Sequence, residues 1–439
     1  MTINKSIVYY GLVVWGALCM QSHAVEQPNI VVIVADDLGY GDIGCYGSET
    51  IKTPHIDALA ANGLRFTDFH SNGAVCSPTR ASLMTGRYPH RTGVTSVITA
   101  HKHRHAGLAL EETTIAEVVK SAGYRTALFG KWHLGYQPKY NPVHQGFDEY
   151  IGFVAGNVDF HAHLDQVGEE DWWKQDQLCP EEGYTTDLIT KHGIEFIERN
   201  QNQPFLLFLT HEAPHYPYQG RNDPVQYVPG KGLVGSPKGT PETYKEMIEV
   251  MDDDIGRIVQ TLEDCGLSEK TLIFFCSDNG PAGLGSAGGL RGKKSHVWEG
   301  GHRVPGIAYW PGTIEAGRIS DEIVMGADLF PTIADLANAP LPEGVTRDGV
   351  NLLPHITEGT SLESRPMFWA NWRGMAVRQG RYKLVTKPKR FEDPELYDLE
   401  SDPAEKLNIA SEHPEKVEEL LKQLKSWHYE VTDGVKKIL

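Results

Sequence analysis

Short apolar runs and amphipathic stretches alternate along the first three quarters of the chain, and the runs have strand length rather than helix length. Residues 29–35 (NIVVIVA) are apolar and rich in β-branched side chains, which predicts a strand buried on both faces. TPHIDALAANG at 53–63 puts Thr at an N-cap, Pro in the first turn and Gly at the stop of a short helix. Residues 113–123 repeat that logic and lead into a strand over 124–129. A helix over 184–200 feeds the strand 204–210 (PFLLFLT), and a long helix over 240–266, with Pro241 near its start, feeds 271–276 (TLIFFC). Helices placed between buried strands predict an α/β fold, a large mixed, mostly parallel sheet sandwiched by helices. No internal repeat interrupts it.

After a helix at 327–338, the Pro/Gly-rich stretch 339–349 (APLPEGVTRDG) reads as a linker or crossover. Strand-like pieces at 375–385 and 395–398 and a last helix at 415–427 predict a smaller C-terminal antiparallel sheet plus helix. The expected division is 1–24 signal peptide, 25–345 main α/β domain and 346–439 C-terminal α+β subdomain. At the start, Lys5 precedes an apolar run from Ile7 to Met20, and Ser22-His23-Ala24 supplies small residues for cleavage after Ala24. The run is short of the roughly 20 apolar residues that a span needs. The expected product is therefore periplasmic or secreted, with no stable membrane association.

Composition narrows the function. Charged residues are 23% of the 439 and the net charge is −17, so the chain lacks the basic face of a nucleic-acid binder. Six cysteines, five after the signal, are too few for a disulfide framework. Ligands of an open parallel sheet bind beyond the carboxyl ends of its strands, so the residues just past each strand matter most. Asp36-Asp37 comes after the first strand, Lys131-Trp132-His133 after the second, His211-Glu212-Ala213-Pro214-His215 after the third and Asp278-Asn279 after the fourth. So many carboxylates in one crevice predict a bound cation, and oxygen donors select Ca²⁺, or less readily Mg²⁺, over Zn²⁺. Cys76-Ser77-Pro78-Thr79-Arg80 opens a helix with a cysteine. Helix-end amides and Arg80 by themselves predict a thiolate nucleophile of low pKa.

Cys76-Ser77-Pro78-Thr79-Arg80 with Leu83-Met84-Thr85-Gly86 resembles the signature of type I sulfatases, members of the alkaline-phosphatase-like superfamily, in which the cysteine of C-x-P-x-R becomes formylglycine. Gly130–Gly135 (GKWHLG), Ala213-Pro214-His215, Lys294 with Glu299-Gly300-Gly301, residues 327–338 and the tail blocks 376–378 and 397–399 resemble the same family in the same order. That resemblance implies hydrolysis of sulfate esters, the expected substrates being sulfated polysaccharide or oligosaccharide fragments. It implies one Ca²⁺ held by Asp36, Asp37, Asp278, Asn279 and an oxygen of the converted Cys76. Arg80, Lys131 and Lys294 are implied to clamp sulfate, His215 to protonate the leaving alcohol and His133 to assist turnover of the aldehyde hydrate. A formylglycine-generating enzyme is the implied maturation partner.

Several motifs compete. His211 to His215 satisfies the zinc-peptidase pattern H-E-x-x-H, but Pro214 forbids the helix that would align both rings. Gly283 to Gly288 satisfies G-x-G-x-x-G without a helix after it, and reads instead as a loop over the site. His101–His105 (HKHRH) reads either as a polyanion grip or as a solvated loop, and Trp172-Trp173 as sugar platforms or core. A phosphoester or phosphonate hydrolase of the same superfamily and a non-catalytic sulfoglycan-binding pseudoenzyme are the alternative functions.

Overall fold

The computed structural model describes residues 27–235, 239–388, 390–435 and 438, so the expected signal peptide lies outside the described residues. Ten strands make one sheet: β1 (Asn29–Ala35), β2 (Leu64–Phe66), β3 (Arg125–Lys131), β4 (Glu149–Phe153), β5 (Trp173–Lys174), β6 (Gln177–Leu178), β7 (Phe205–Thr210), β8 (Thr271–Ser277), β9 (Gly306–Tyr309) and β10 (Arg318–Ser320). Their spatial order is β10-β2-β9-β8-β1-β7-β3-β4-β5-β6. The central five, β8, β1, β7, β3 and β4, are parallel; β9 and β2 on one side and β5 and β6 on the other join antiparallel, and β10 pairs parallel with β2 at the outer edge. All seven residues of β1 are buried, as its unbroken apolar run requires. Ala35 lies level with Ser277, and Val34 and Gly130 with Thr210, so the residues just past these strands emerge at one edge.

Helices cover the sheet: α1 (Pro54–Ala61), α2 (Cys76–Thr85), α3 (Ile115–Ser121), α4 (Thr185–Arg199), α5 (Pro241–Asp264) and α6 (Leu329–Leu336). Thr114 and Glu117 close a capping box at the start of α3, satisfying two otherwise orphaned backbone donors. Strand β3 runs to Lys131, two residues beyond the expected end. Gly130 permits this: at φ +110 its backbone lies so close to Thr210 that a Cβ would sit 2.2 Å from the Thr210 carbonyl oxygen. The helix expected from residue 327 instead begins at Leu329, after a 3₁₀ turn at Gly326–Asp328. Asp328 fixes that turn by accepting from Met325 N at 2.9 Å and Val350 N at 2.8 Å and by pairing with Arg365. Residues 339–349 are a pinned crossover, because Asp348 accepts from Tyr88 N at 2.7 Å and pairs with Arg91.

A second sheet, β11 (Met367–Ala370), β12 (Met375–Gln379), β13 (Tyr382–Thr386) and β14 (Glu395–Asp398), is antiparallel throughout and carries α7 (Pro414–Thr432). Its apolar face, including Trp369 and Leu384, packs with Leu420 and Leu424 of α7 in a separate core. Phe368 stacks on Trp427 at 4.8 Å between ring centroids. A buried ionic network joins this sheet to the helical turn Glu299–His302. Lys383 Nζ reaches Glu299 at 2.9 Å, Glu405 at 3.0 Å and His302 Nε2 at 3.1 Å. Arg378 forks onto Asp68 at 2.5 and 2.7 Å. No helix among the described residues is long and apolar enough to cross a membrane.

Candidate active site

The register of β1, β3, β7 and β8 delivers Asp36-Asp37, Lys131, His211 and Asp278-Asn279 to one end of the sheet. Cross-strand bonds lock these ends together. Asp36 N donates to Ala213 O at 3.1 Å, Asp278 N to Ala35 O at 3.1 Å, and Asp37 N to Asp278 Oδ1 at 3.3 Å. Asp37 takes a left-handed φ of +64, a conformation that Asp tolerates better than most side chains. Helix α2 points its first residue, Cys76, at the same place.

Three cations meet three carboxylates there. Arg80 contacts Asp278 Oδ2 through Nε at 3.0 Å and Nη2 at 2.9 Å, and its Nη1 donates to Lys131 O at 2.8 Å. Lys131 pairs with Asp36, and Lys294 reaches Asp37 Oδ1 at 2.6 Å and Cys76 Sγ at 3.3 Å. All of these residues except Lys294 are fully or nearly fully buried. Burial alone would raise the Asp37 pKa, but Lys294 and His215 outweigh it and hold the group at about 2. Burial and then the neighbouring Asp36 push Asp278 up to about 6 against the pull of Arg80.

The expected low-pKa thiolate is not found. Cys76 is 1% exposed, and desolvation pushes its thiol up to about 12 despite Lys131 and Lys294. The guanidinium that was to stabilise a thiolate is already committed to Asp278. As it stands, Cys76 is a thiol, not a poised nucleophile.

The cation expectation has a more specific basis than a surplus of acids, since the three carboxylates already have partners. Asp36 Oδ1, Asp37 Oδ2 and Asn279 Oδ1 are buried and accept no hydrogen bond. Asn279 spends its Nδ2 on Asp37 Oδ1 at 2.7 Å and Gly280 O at 3.0 Å, which leaves its carbonyl oxygen over. Donor atoms of Asp36, Asp37, Cys76 and His215 lie within 4.8 Å of one another. Buried unpartnered oxygens are costly, and hard oxygen donors suit a cation such as Ca²⁺. The three acids and three bases balance, so a divalent ion would leave the pocket about two charges positive, matched to an anionic group.

Two histidines border this cluster. His133 Nε2 lies 3.0 Å from Ile98 O; a carbonyl only accepts, so Nε2 carries the proton and the unpartnered Nδ1 carries the lone pair. Burial, then Lys131, holds its pKa far below the ordinary value. His215 Nδ1 donates to Tyr216 O at 2.5 Å, which turns Nε2 toward Asp37 Oδ2 at 3.5 Å. Burial holds it neutral, with a pKa of about 3.

The competing motifs separate here. Residues 211–215 are not helical and Ala213-Pro214 is cis, so the zinc-peptidase arrangement is absent. Neither ring nitrogen of buried His211 has a hydrogen-bond partner. Arg104 pairs with Asp165 and Glu169 and His103 Nδ1 bonds Thr99, whereas His101, Lys102 and His105 are exposed, so the 101–105 segment is part engaged and part solvated. Trp172 is core, stacked on His163 at 4.6 Å, and Trp173 donates to Asp171 at 2.6 Å. Two contributors escaped the sequence reading. Glu212 is buried beside the cluster with Oε1 on Val158 N at 2.7 Å and Oε2 unpartnered; its place directly after a buried strand was the available signal. The Ile98 carbonyl that fixes the His133 tautomer belongs to a loop with no motif.

The family model described as Sulfatase matches residues 28–339. This chain belongs to the sulfatase family. Sulfatases are sulfuric ester hydrolases, and this enzyme hydrolyses sulfate esters, as the ordered blocks implied. A model for the C-terminal part of N-sulphoglucosamine sulphohydrolase matches residues 292–432. The sulfatase is 35% identical to human (Homo sapiens) arylsulfatase A over 93% of this chain and 89% of that protein. It is 36% identical to the dog (Canis lupus familiaris) N-acetylgalactosamine-6-sulfatase over 82% of this chain and 72% of that protein. The crystal structure of Ps i-CgsB in complex with k-i-k-neocarrahexaose superposes with a TM-score of 0.83 at 29% identity, covering 92% of this chain and 93% of that one.

Proposed function

We propose that this exported enzyme removes sulfate from a sulfated carbohydrate, with Cys76 converted to formylglycine by a maturating enzyme and one Ca²⁺ held by Asp36, Asp37, Asp278 and Asn279. The carrying observation is the set of three buried, unpartnered oxygens beside Cys76 and three cationic side chains. The Cys76 sulfur stands where the oxygens of the aldehyde hydrate would be. That hydrate would supply one hydroxyl to attack sulfur and a second whose proton loss frees sulfate, and the ion held by Asp36, Asp37, Asp278 and Asn279 would supply positive charge against the sulfate oxygens.

The protein's own groups do the remaining work. Lys131 and Lys294 flank position 76 and are placed to neutralise charge on the sulfate oxygens as the S–O bond lengthens. Arg80 bridges Asp278 to the end of β3 and so holds both sides of the pocket in register. His215 Nε2, aimed inward because Nδ1 donates to the Tyr216 carbonyl, carries the lone pair at rest, so it takes up the proton that the attacking hydroxyl loses and passes it to the leaving alcohol. His133 Nδ1, with its lone pair fixed by Ile98, accepts the proton lost when sulfate is released. Relatives that act on N-acetylgalactosamine 6-sulfate and a structural neighbour holding a neocarrahexaose support a carbohydrate substrate.

The test is sulfate release from a panel of sulfated oligosaccharides and an aryl sulfate, using protein whose tryptic peptide 66–80 shows the mass change from thiol to aldehyde. Release expected from at least one sugar should vanish in Cys76→Ala. Phosphate-ester turnover above sulfate-ester turnover would overturn the reading in favour of a phosphoester hydrolase, and binding without turnover in favour of a pseudoenzyme.

A further inference from the structure

The turn between β11 and β12 carries two exposed side chains that the chemistry above leaves without work. Trp372 is 49% exposed, and Arg373 beside it has no carboxylate partner among the described residues. Tryptophan is expensive to leave in water, and this one stands on a rigid support. Asn371 N donates to Gly374 O at 2.9 Å, while Asn371 Oδ1 accepts from Arg373 N at 2.7 Å. A Cβ on Gly374 would come within 2.8 Å of Val297, so the turn lies flush against the loop below it.

That loop carries Lys294. Asn371 Nδ2 donates to Ser295 O at 3.0 Å, and Ser295 N donates to Ala74 O at 2.6 Å, two residues before Cys76. Two hydrogen bonds therefore link the Trp372 turn to the backbone at the nucleophile position. Arg373 Nη1 lies 3.5 Å from His296 Nε2, and a cavity of about 360 Å³ opens between Arg373, His296, Trp298 and Lys387, where Asp393 pairs with Lys387 and Glu395 lies toward Arg291, so Arg373 is the cation there without a carboxylate partner among the described residues. In a chain of net charge −17, an exposed aromatic ring beside a guanidinium with no carboxylate partner among the described residues forms a surface suited to a sugar that carries one anionic group.

We propose that Asn371–Gly374 is the subsite for the sugar next to the one that carries the scissile sulfate: Trp372 packs on that sugar's ring, and Arg373 pairs with a second sulfate or a carboxylate on it. This deepens the carbohydrate reading and rests on it. An aryl sulfate has no neighbouring sugar to offer the turn, so its turnover should not depend on Trp372 or Arg373.

The experiment compares Trp372→Ala, Trp372→Phe and Arg373→Ala with wild type, on an aryl sulfate and on oligosaccharides with one or two anionic groups. For Trp372→Ala, kcat/KM on the oligosaccharide should fall by about tenfold or more, mainly through KM, while aryl sulfate turnover stays within about twofold. Trp372→Phe should recover most of the loss. Arg373→Ala should weaken only substrates with a second anionic group, and added salt should shrink its effect. Equal losses on both substrate classes would show a structural role and overturn the assignment. Unimpaired oligosaccharide turnover by Trp372→Ala would overturn the subsite alone. Wild-type turnover of the aryl sulfate with none on any sugar would overturn the carbohydrate reading and the subsite with it.

Discussion

Replacing Lys383 by methionine removes the central charge of the network between the two sheets while keeping the length of the side chain. Lys383 is fully buried and bridges Glu299 and Glu405 at 2.9 and 3.0 Å. Glu299 keeps Arg378 at 3.3 Å and Arg303 at 3.5 Å, whereas Glu405 is left with only the amide of Glu299 at 2.7 Å. Removing one partner of a buried ion pair costs roughly 3–5 kcal/mol, a large part of the roughly 5–15 kcal/mol that holds a protein folded. Burial already holds the Glu405 carboxyl above its ordinary pKa against the pull of Lys383. Without Lys383 it would rise further, so the loss should be smaller at pH 5 than at pH 8, because a higher pKa lets Glu405 shed its charge as pH falls. Urea unfolding followed by tryptophan fluorescence at both values reads this directly, and adding Glu405→Gln should recover part of the loss. A penalty below about 1 kcal/mol at pH 8, or no recovery in the double variant, would refute the claim that these charges are desolvated.

Arg80→Lys should fold yet lose on the order of 100-fold or more in kcat, because an ammonium cannot span Asp278 and the Lys131 carbonyl together; steady-state kinetics with circular dichroism checks both parts. Chelation of Ca²⁺ should lower the melting temperature, since an ion at about 100 times its Kd adds roughly 2.7 kcal/mol, and re-addition should restore it. Identical melting curves with and without chelator would count against the ion site. His90 is buried with its pKa lowered from 6.5 to about 4 by burial and by His428. Its neutral form favours the fold above pH 6.5, and that contribution drains away as pH falls toward 4, by about 2 kcal/mol at pH 5. His90→Phe should flatten the pH dependence of the urea midpoint by that amount.

The strands that position the site could be read from the chain because each carries a central apolar run that is buried on both faces; Asn29–Ala35 emerged with its expected bounds. Side chains directly after such strands are forced to the sheet edge, so Asp36, Asp37, Asp278 and Asn279 were legible as a group. Their pairing was not. Which ammonium meets which carboxylate depends on strand order, which brings together Lys131 and Asp36 from positions 95 residues apart. The Cys76 thiol was misjudged for a related reason: helix-end amides and Arg80 are visible in sequence, whereas burial, which dominates its pKa, is set by segments far along the chain. Ile98 contributes only a backbone carbonyl, which leaves no mark on residue type. The turn carrying Trp372 has no motif either, and its place beside Lys294 shows only in the bond from Asn371 to Ser295.

The depth at which Cys76 sits also sets an order of events. The walls of its pocket come from widely separated parts of the chain, and Lys294, which touches the sulfur, lies 218 residues further on. Until that stretch has been made and seated, the Cys76 segment is open to another macromolecule; afterwards a 1% exposed sulfur admits nothing larger than a small ligand. The conversion proposed for Cys76 would therefore have to come before the fold is complete, and unmodified protein that has already closed would have to unfold again to receive it.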